Sequence, residues 1–425
     1  MKVHIVGSGP TGLTIAWNLI NNGYTVIVYD KKEGPGGSWW EPEGERNYHA
    51  FRSVFRKGFV NTRNLLQQMG LEWSNYFGKI PSNDTNILKY FELSDYTKII
   101  WLAIKVFTNP EKYKKINLKD CVENFSNISK KLFEHLPYSI DGVCWCRMTA
   151  YEFFQSINMV TFDIPGETQI VSGRVMFTDM KNILEAKGVV FKFDKELLKV
   201  SYNPESYYGM FVDGDEIRDG MLVLAVDNGP ARWLIDDNWG KMAQKKLESG
   251  MYSCMNILLY YDRNMTPLPK TELEYCIGSE LKILAKAYGN TVSCLICETD
   301  KIKNIPSGPL IEMVLSQTGL PKPLESKICW GSHWNGSQWS HSQTSGAYPL
   351  EGTIPFFGAS SKVALVGMMS PRQTPYASIE AATEVANTFT KEIFGIGKVY
   401  YPFTLVFFLM IISFIIIFSY YALML

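Results

Sequence analysis

The first 30 residues constrain the fold more than any other stretch of this 425-residue chain. An apolar run, Val3-His4-Ile5-Val6, leads directly into Gly7-Ser8-Gly9-Pro10-Thr11-Gly12. A helix-forming stretch follows from Leu13 to Ile20, then Gly23, then a second apolar run from Tyr24 to Tyr29 that ends on Asp30. Strand, glycine turn, helix, strand and acid in this register suit a dinucleotide. Gly7 serves the tight turn, Gly9 leaves bare backbone beside a pyrophosphate, and Gly12 lets the helix pack closely on the strand. The helix N-terminus turns its amides and the positive end of its dipole toward the phosphates. Asp30 stands where a carboxylate accepts both ribose hydroxyls of an adenosine. A plain strand-helix turn explains the glycines alone, and a solvated strand end explains Asp30 alone. Only the joint register points to a nucleotide.

A second glycine pair follows within Lys31-Lys32-Glu33-Gly34-Pro35-Gly36-Gly37-Ser38-Trp39-Trp40. Gly36 and Gly37 allow another length of backbone to approach the cofactor. That suits a permanently seated flavin better than a nicotinamide that must come and go. FAD is therefore expected in preference to NAD.

The pattern GxGxxGxxxA, then an acid, then GG, resembles the flavin-containing amine oxidoreductases, which include amine oxidases, carotenoid desaturases and protoporphyrinogen oxidases. Gly7, Gly9, Gly12, Ala16, Asp30, Gly36 and Gly37 match it position by position, while Ser38 replaces the arginine usual after the glycine pair. The segment from Gly188 to Phe193 followed by Leu197 resembles the family's return to its FAD domain, which implies that Leu197 packs on the adenine. Asp213-Gly214-Asp215 and the run Met221 to Val226 resemble its hairpin and buried strand. The run Val363 to Gly367 and the segment Ala377 to Ala382 resemble its closing strand and helix, where Ser378, Ile379 and Glu380 fit a pattern whose first amides reach the flavin's pyrimidine edge. Met368 replaces the usual acid there, and Ala381 a glycine. The resemblance implies a Rossmann-like FAD domain built from separate segments, a substrate domain beside it, and hydride transfer from substrate carbon to flavin N5.

Composition agrees with a large α/β enzyme: 46% of residues are hydrophobic, 20% are charged and 33 are glycine. Lys plus Arg and Asp plus Glu each number 42, so the chain has no basic footprint for nucleic acid. The first strand begins almost at Met1, which leaves no room for a signal peptide, and the eight cysteines are expected as packed thiols in a reducing compartment. Cys144-Trp145-Cys146 and Cys294-Leu295-Ile296-Cys297 lack a second ligand pair at zinc-like spacing, so no metal is expected.

The other end of the chain is apolar. The 24 residues from Pro402 to Leu425 carry no charge, and at helical rise they span about 36 Å, against about 30 Å for a bilayer core. A single C-terminal transmembrane anchor is expected. Lys391 and Lys398 precede it and nothing basic follows, which keeps the catalytic domain on the cytosolic side.

These readings divide the chain into FAD-binding segments at 1–80, 166–235 and 351–397, a helical substrate segment at 81–165, a sheet-rich substrate segment at 236–350, and the anchor at 398–425. The patch Ile99 to Phe107 reads first as a buried helix and second as a roof over a substrate tunnel or a membrane contact. His333 within Ser332 to Trp339 reads as an exposed loop residue more readily than as a base. Lys282 and Lys286 are candidates for the lysine that many family members hold near N5, and no catalytic residue is singled out. The expected substrate is a small amine, with a lipid-soluble isoprenoid or porphyrinogen as the alternative, since the position of the monoamine-oxidase cage tyrosine is Ser378. The departures at Ser38, Met368 and Ala381 leave open a membrane-tethered flavoprotein scaffold without catalysis.

Overall fold

The computed structural model describes residues 1–43, 53–79, 90–163, 166–235, 239, 243, 247, 253–341 and 350–411. The chain begins with β1 (Lys2–Val6), α1 (Pro10–Ile20) and β2 (Thr25–Tyr29). The longer helices that follow are α2 (Val60–Gln68), α3 (Tyr96–Thr108), α4 (Asn127–Asp141) and α5 (Ala150–Val160). Next come α6 (Gly173–Ala186), β3 (Val190–Lys192), the hairpin strands β4 (Leu197–Tyr202) and β5 (Tyr207–Phe211), β6 (Met221–Leu224) and α7 (Asn228–Leu234). The second half holds β7 (Met255–Tyr260), β8 (Ile283–Tyr288), β9 (Thr291–Ile296), β10 (Glu325–Ile328), β11 (Val363–Leu365) and α8 (Ile379–Phe394).

Two sheets organise the molecule. The first has five strands in the order β11-β6-β1-β2-β3, all parallel. Its inner strands read as continuous apolar runs because both faces are covered. Val3, Ile5, Val223, Ala364, Val26 and Val28 pack on one side with α1, α6 and α8, and Leu222, Leu224, Val363 and Leu365 face the β4–β5 hairpin on the other. α1 is wedged between the sheet and α8, and Asn18 of α1 donates to Asn387 at 2.8 Å and to Thr390 at 2.9 Å. The second sheet has four strands in the order β8-β9-β7-β10, with antiparallel pairing throughout. It carries its own core of Ile257, Leu259, Ile283, Val292, Cys294 and Ile296. A third core lies among α3, α4 and α5, around Phe133, Phe153 and Val106.

Three expectations change. α3 is not a buried helix: Leu102 and Val106 face the core, but Ile100, Trp101 and Ile104 are exposed by 61%, 58% and 47%. Apolar residues continue round the helix, so the sequence run does not reveal that only one face has a partner. Cys144 and Cys146 form a disulfide rather than remaining thiols, since the turn between them brings their Cα atoms to 5.2 Å, inside the range a disulfide spans. The expected anchor lies for the most part outside the described residues. Residues 405–411 are helical, and among the described residues no helix is long and apolar enough to cross a membrane.

Candidate functional site

The glycines do what their spacing suggests, and the structure gives each a measure. Gly7 ends β1 at φ +108°, and a Cβ there would stand 2.1 Å from the carbonyl oxygen of Ala225, just past β6. A Cβ on Gly12 would stand 1.9 Å from the carbonyl oxygen of Gly7, so the β1–α1 turn closes only without a side chain. A Cβ on Gly9 would meet Gly37 Cα at 3.5 Å, and one on Gly37 would meet Gly9 Cα at 3.0 Å. The two glycine pairs therefore lie on each other, joined by the Gly36 amide donating to the Ser8 carbonyl at 3.0 Å. Ser38 sits in the single turn Gly37–Trp39 that follows. No side chain caps α1, and no acid stands in its first turn, so the amides at its N-terminus remain available to an anion.

Asp30 is buried and largely engaged. One carboxylate oxygen accepts from the Ser8 amide and the Ser8 hydroxyl, both at 2.7 Å, and the other accepts from the Lys32 amide at 3.0 Å. A carboxylate offers about four acceptor positions. One remains, on Oδ1, which leaves room for one further donor where the sequence implies two. Beside it the Lys195 amide donates to the Asp30 carbonyl at 2.9 Å, which sets the start of β4, and the buried Leu197, against this strand end.

The neighbouring strand ends complete one edge. A Cβ on Gly367, past β11, would lie 2.9 Å from the Val226 carbonyl oxygen, next to the residue that confines Gly7. Ser378 is the N-cap of α8, its hydroxyl accepting from the Ala381 amide at 3.1 Å. Ala382 begins the helical ladder by donating to the Ser378 carbonyl. Ile379 and Glu380 thus carry the orphan amides of the helix start. Thr11 at the start of α1 donates to the Ala382 carbonyl at 3.4 Å, which joins the two helix N-termini. Every position expected to touch the cofactor therefore lies along the C-terminal edge of the parallel sheet or against it. That edge is where ligands bind in such sheets.

Several buried polar atoms near this edge lack hydrogen-bond partners among the described residues. They are Trp40 Nε1, Trp330 Nε1, Tyr376 Oη and both side-chain polar atoms of Asn228. Buried polar groups of this kind are normally paired, and five such atoms on different elements are available to a polar ligand. Trp40 and Trp330 meet edge to face at 5.2 Å, and Lys32 Nζ sits 5.1 Å and 4.8 Å from their rings while donating to the Gly37 carbonyl at 2.8 Å. Asp227 caps α7 by accepting from the Asn228 amide at 3.0 Å. Burial pushes its pKa up to about 6, although that bond and nearby Lys32 pull it down. Burial also holds the Tyr376 hydroxyl well above its ordinary pKa, so it keeps its proton.

Other candidates go elsewhere. Lys282 Nζ lies 2.8 Å from Nε2 of His135 on α4. Lys286 lies 3.5 Å from Glu272 and 3.4 Å from the Ser53 hydroxyl. Burial lowers its pKa, but Glu272 and Tyr288 more than offset this and leave it above the ordinary value. His333 is exposed on a two-stranded hairpin whose Trp339 donates to the Ile305 carbonyl at 2.7 Å. Tyr376 precedes α8 rather than lying on it, and its ring stacks on Phe59 at 6.3 Å.

Two residues matter more than the sequence suggests. Glu380 sends its carboxylate away from the edge to the N-terminus of α2. There it accepts from the amides of Asn61 and Thr62, both at 2.9 Å, from the Asn61 side chain at 2.7 Å and from the Thr62 hydroxyl at 3.0 Å. Burial pushes its pKa up to about 7 even though these four donors pull it down. Glu41, fully buried, accepts from Gln169, Ser172 and the Gly173 amide and so pins the start of α6. Neither role has a local signal, because both partners are distant in sequence.

Comparison with known proteins gives the same picture. Residues 5–54 match the NAD(P)-binding Rossmann-like domain family. The thiamine thiazole synthase of Thermotoga maritima is 48% identical over 40 residues, 9% of this chain and 16% of that enzyme. That of Thermococcus kodakarensis is 21% identical over 216 residues, 50% of this chain and 76% of that enzyme. Among solved structures, wild-type putrescine oxidase bound to putrescine matches with a TM-score of 0.66 at 13% identity, covering 93% of this chain and 99% of that one. Cyclohexylamine oxidase from Brevibacterium oxydans matches with a TM-score of 0.61 at 12% identity, covering 92% and 99%. Residues 5–54 are thus similar to a Rossmann-like nucleotide-binding family, and the chain as a whole shares its fold with these two solved amine oxidases.

Proposed function

We propose that this chain is an FAD-dependent oxidoreductase of the amine-oxidase type, acting on a small amine. The observation that carries the reading is the contact between the two glycine pairs, with Asp30 and a set of unsatisfied buried donors around them. The residues present fit FAD. The uncapped start of α1 would hold the pyrophosphate, Asp30 Oδ1 would accept from a ribose hydroxyl, Leu197 would flank the adenine, and the Ile379 and Glu380 amides would lie toward the electron-accepting ring. FAD, when bound, supplies a two-electron acceptor for an amine C–H bond, to be reoxidised by oxygen. With FAD bound, the preorganised α8 amides would stabilise negative charge at the ring edge. Trp40, Trp330 and Tyr376 exclude water and hold N–H and O–H groups toward the ligand. No general base is assigned, and amine oxidation of this kind requires little acid-base machinery.

We also propose that residues 402–425 anchor the chain in a membrane with the remainder on the cytosolic side. The uncharged run and the lysines before it support this.

The test is anaerobic titration of the purified full chain in detergent with a panel of primary and secondary amines, following the flavin band. Bleaching by one amine class is expected. A yellow protein that no amine bleaches but a detergent-presented isoprenoid or porphyrinogen does would replace the amine reading with the desaturase one. A yellow protein inert to all of them would leave the scaffold reading.

A further inference from the structure

The exposed side of α3 has no counterpart in the proposed chemistry. On a water-soluble helix the face opposite the buried stripe is polar. Here Leu102 and Val106 are buried, yet Ile100, Ile104 and Phe107, spaced four and three residues apart, form a second apolar stripe on another face, with Trp101 beside it. That stripe leads to the tail. Phe107 shares the wall of a cavity of about 380 Å³ with Met159 of α5 and with Phe407 and Met410 of the tail. Phe162, past α5, packs on Phe403 at 5.6 Å and Phe408 at 5.7 Å. The tail is tied to the body there, since the Val406 amide donates to Asn158 at 2.9 Å, and Asn61 both receives from the Tyr400 amide and donates to its carbonyl, each at 2.9 Å. The exposed apolar residues of α3 therefore lead, through the half-buried Phe107, to a cavity of mixed polar and apolar lining at the start of the uncharged run.

The surroundings of α3 are basic. Residues 92–115 hold five lysines (98, 105, 112, 114 and 115) against three acids, Glu92, Asp95 and Glu111, with Lys98 paired to Asp95 and Lys114 to Glu111, each at 2.7 Å. Lys105 Nζ lies 5.4 Å from the Trp101 ring, and Lys57 beside Phe162 donates to its carbonyl at 3.1 Å. An apolar face with an aromatic ring and a lysine rim matches the chemistry of an anionic bilayer interface, with hydrocarbon below and phosphate above.

We propose that α3 is a second membrane contact, lying in the headgroup region of the same anionic leaflet that the tail enters, with Ile100, Trp101 and Ile104 inserted. This rests on the anchor proposed above, and it fixes how the body is held against the bilayer. A lone tail leaves the domain free to swing, whereas two attachments fix its orientation.

The test uses the full chain in vesicles of phosphatidylcholine with about 30% phosphatidylserine, an anionic surface that attracts basic residues, and a phospholipid bearing a photoactivatable diazirine near the glycerol. Labelled peptides are mapped by mass spectrometry. Labelling of residues 96–108 as well as the tail is expected. The I100S/W101S/I104S variant, checked for native circular dichroism, should lose at least about five-fold of the α3 label and keep the tail label. Labelling of the tail alone would overturn the proposal and leave the anchor standing, and labelling of neither would overturn both. Crosslinks between α3 segments of two chains in place of lipid adducts would overturn it in favour of self-association.

Discussion

A Gly12→Ala chain is expected to emerge without FAD. Its new methyl would lie 1.9 Å from the Gly7 carbonyl oxygen, which is backbone on both sides and cannot swing away. α1 must back off from β1, at a cost of about 3 kcal/mol, toward the upper end for overpacked interiors, and the amides meant for the pyrophosphate move with it. Flavin per chain should fall below about a tenth of the parent, a ten-fold loss being about 1.4 kcal/mol of binding. Gly9→Ala supplies the contrast. Its methyl would meet Gly37 Cα at 3.5 Å, ordinary contact, so the fold should stand while the bare approach to the phosphates is filled. Absorbance of the two purified variants and their melting temperatures separate the effects. Gly12→Ala lowers both, and Gly9→Ala lowers flavin content alone.

Glu380→Ala is expected to destabilise the chain strongly, because it breaks the link between α8 and α2. Four donors, two of them backbone amides at the start of α2, lose their acceptor inside the molecule. Leaving such groups unpaired costs about 3 kcal/mol or more in all. The same carboxyl makes stability depend on pH. Its folded pKa stands at about 7 against an ordinary 4.5, with burial as the leading cause. Between those values the folded chain holds a proton that the unfolded chain has released, so stability falls as pH rises through this window. The contribution is fully present below pH 4.5 and lost by about pH 7. Glu380→Gln should reduce that slope to the part that Asp227, raised to about 6, contributes. Denaturant midpoints across the window, parent against variant, measure it; a parent slope that survives in full in Glu380→Gln would assign the titration to another group.

What the sequence made legible was local. The β1-α1-β2 unit, its three glycines and Asp30 are contiguous, and Gly12 is confined within that unit, whereas Gly7 is confined by Ala225 at the end of another strand. The second glycine pair was equally plain, and its contact with Gly9 explains why both pairs are needed. The contents of the Asp30 carboxylate were not legible, because Ser8 looks like any residue of a glycine loop until its hydroxyl is seen to turn back onto the acid. Glu380 shows the limit from the other side. Its place in the α8 signature was visible, but its role depends on α2, more than 300 residues away in sequence. Trp40, Trp330 and Asn228 come from three distant segments, and only the fold brings their unsatisfied atoms to one edge. α3 misled for a related reason, since an apolar run states how hydrophobic a helix is and not how many of its faces find a partner.

The central claim, that the joined glycine pairs hold FAD, is tested most directly by denaturing the purified full chain and identifying the nucleotide released, by absorbance and mass. The account predicts FAD at close to one per chain in the parent and its loss in Gly9→Ala. A nicotinamide dinucleotide in its place, or a folded chain that releases no nucleotide and takes up no added FAD, would contradict it.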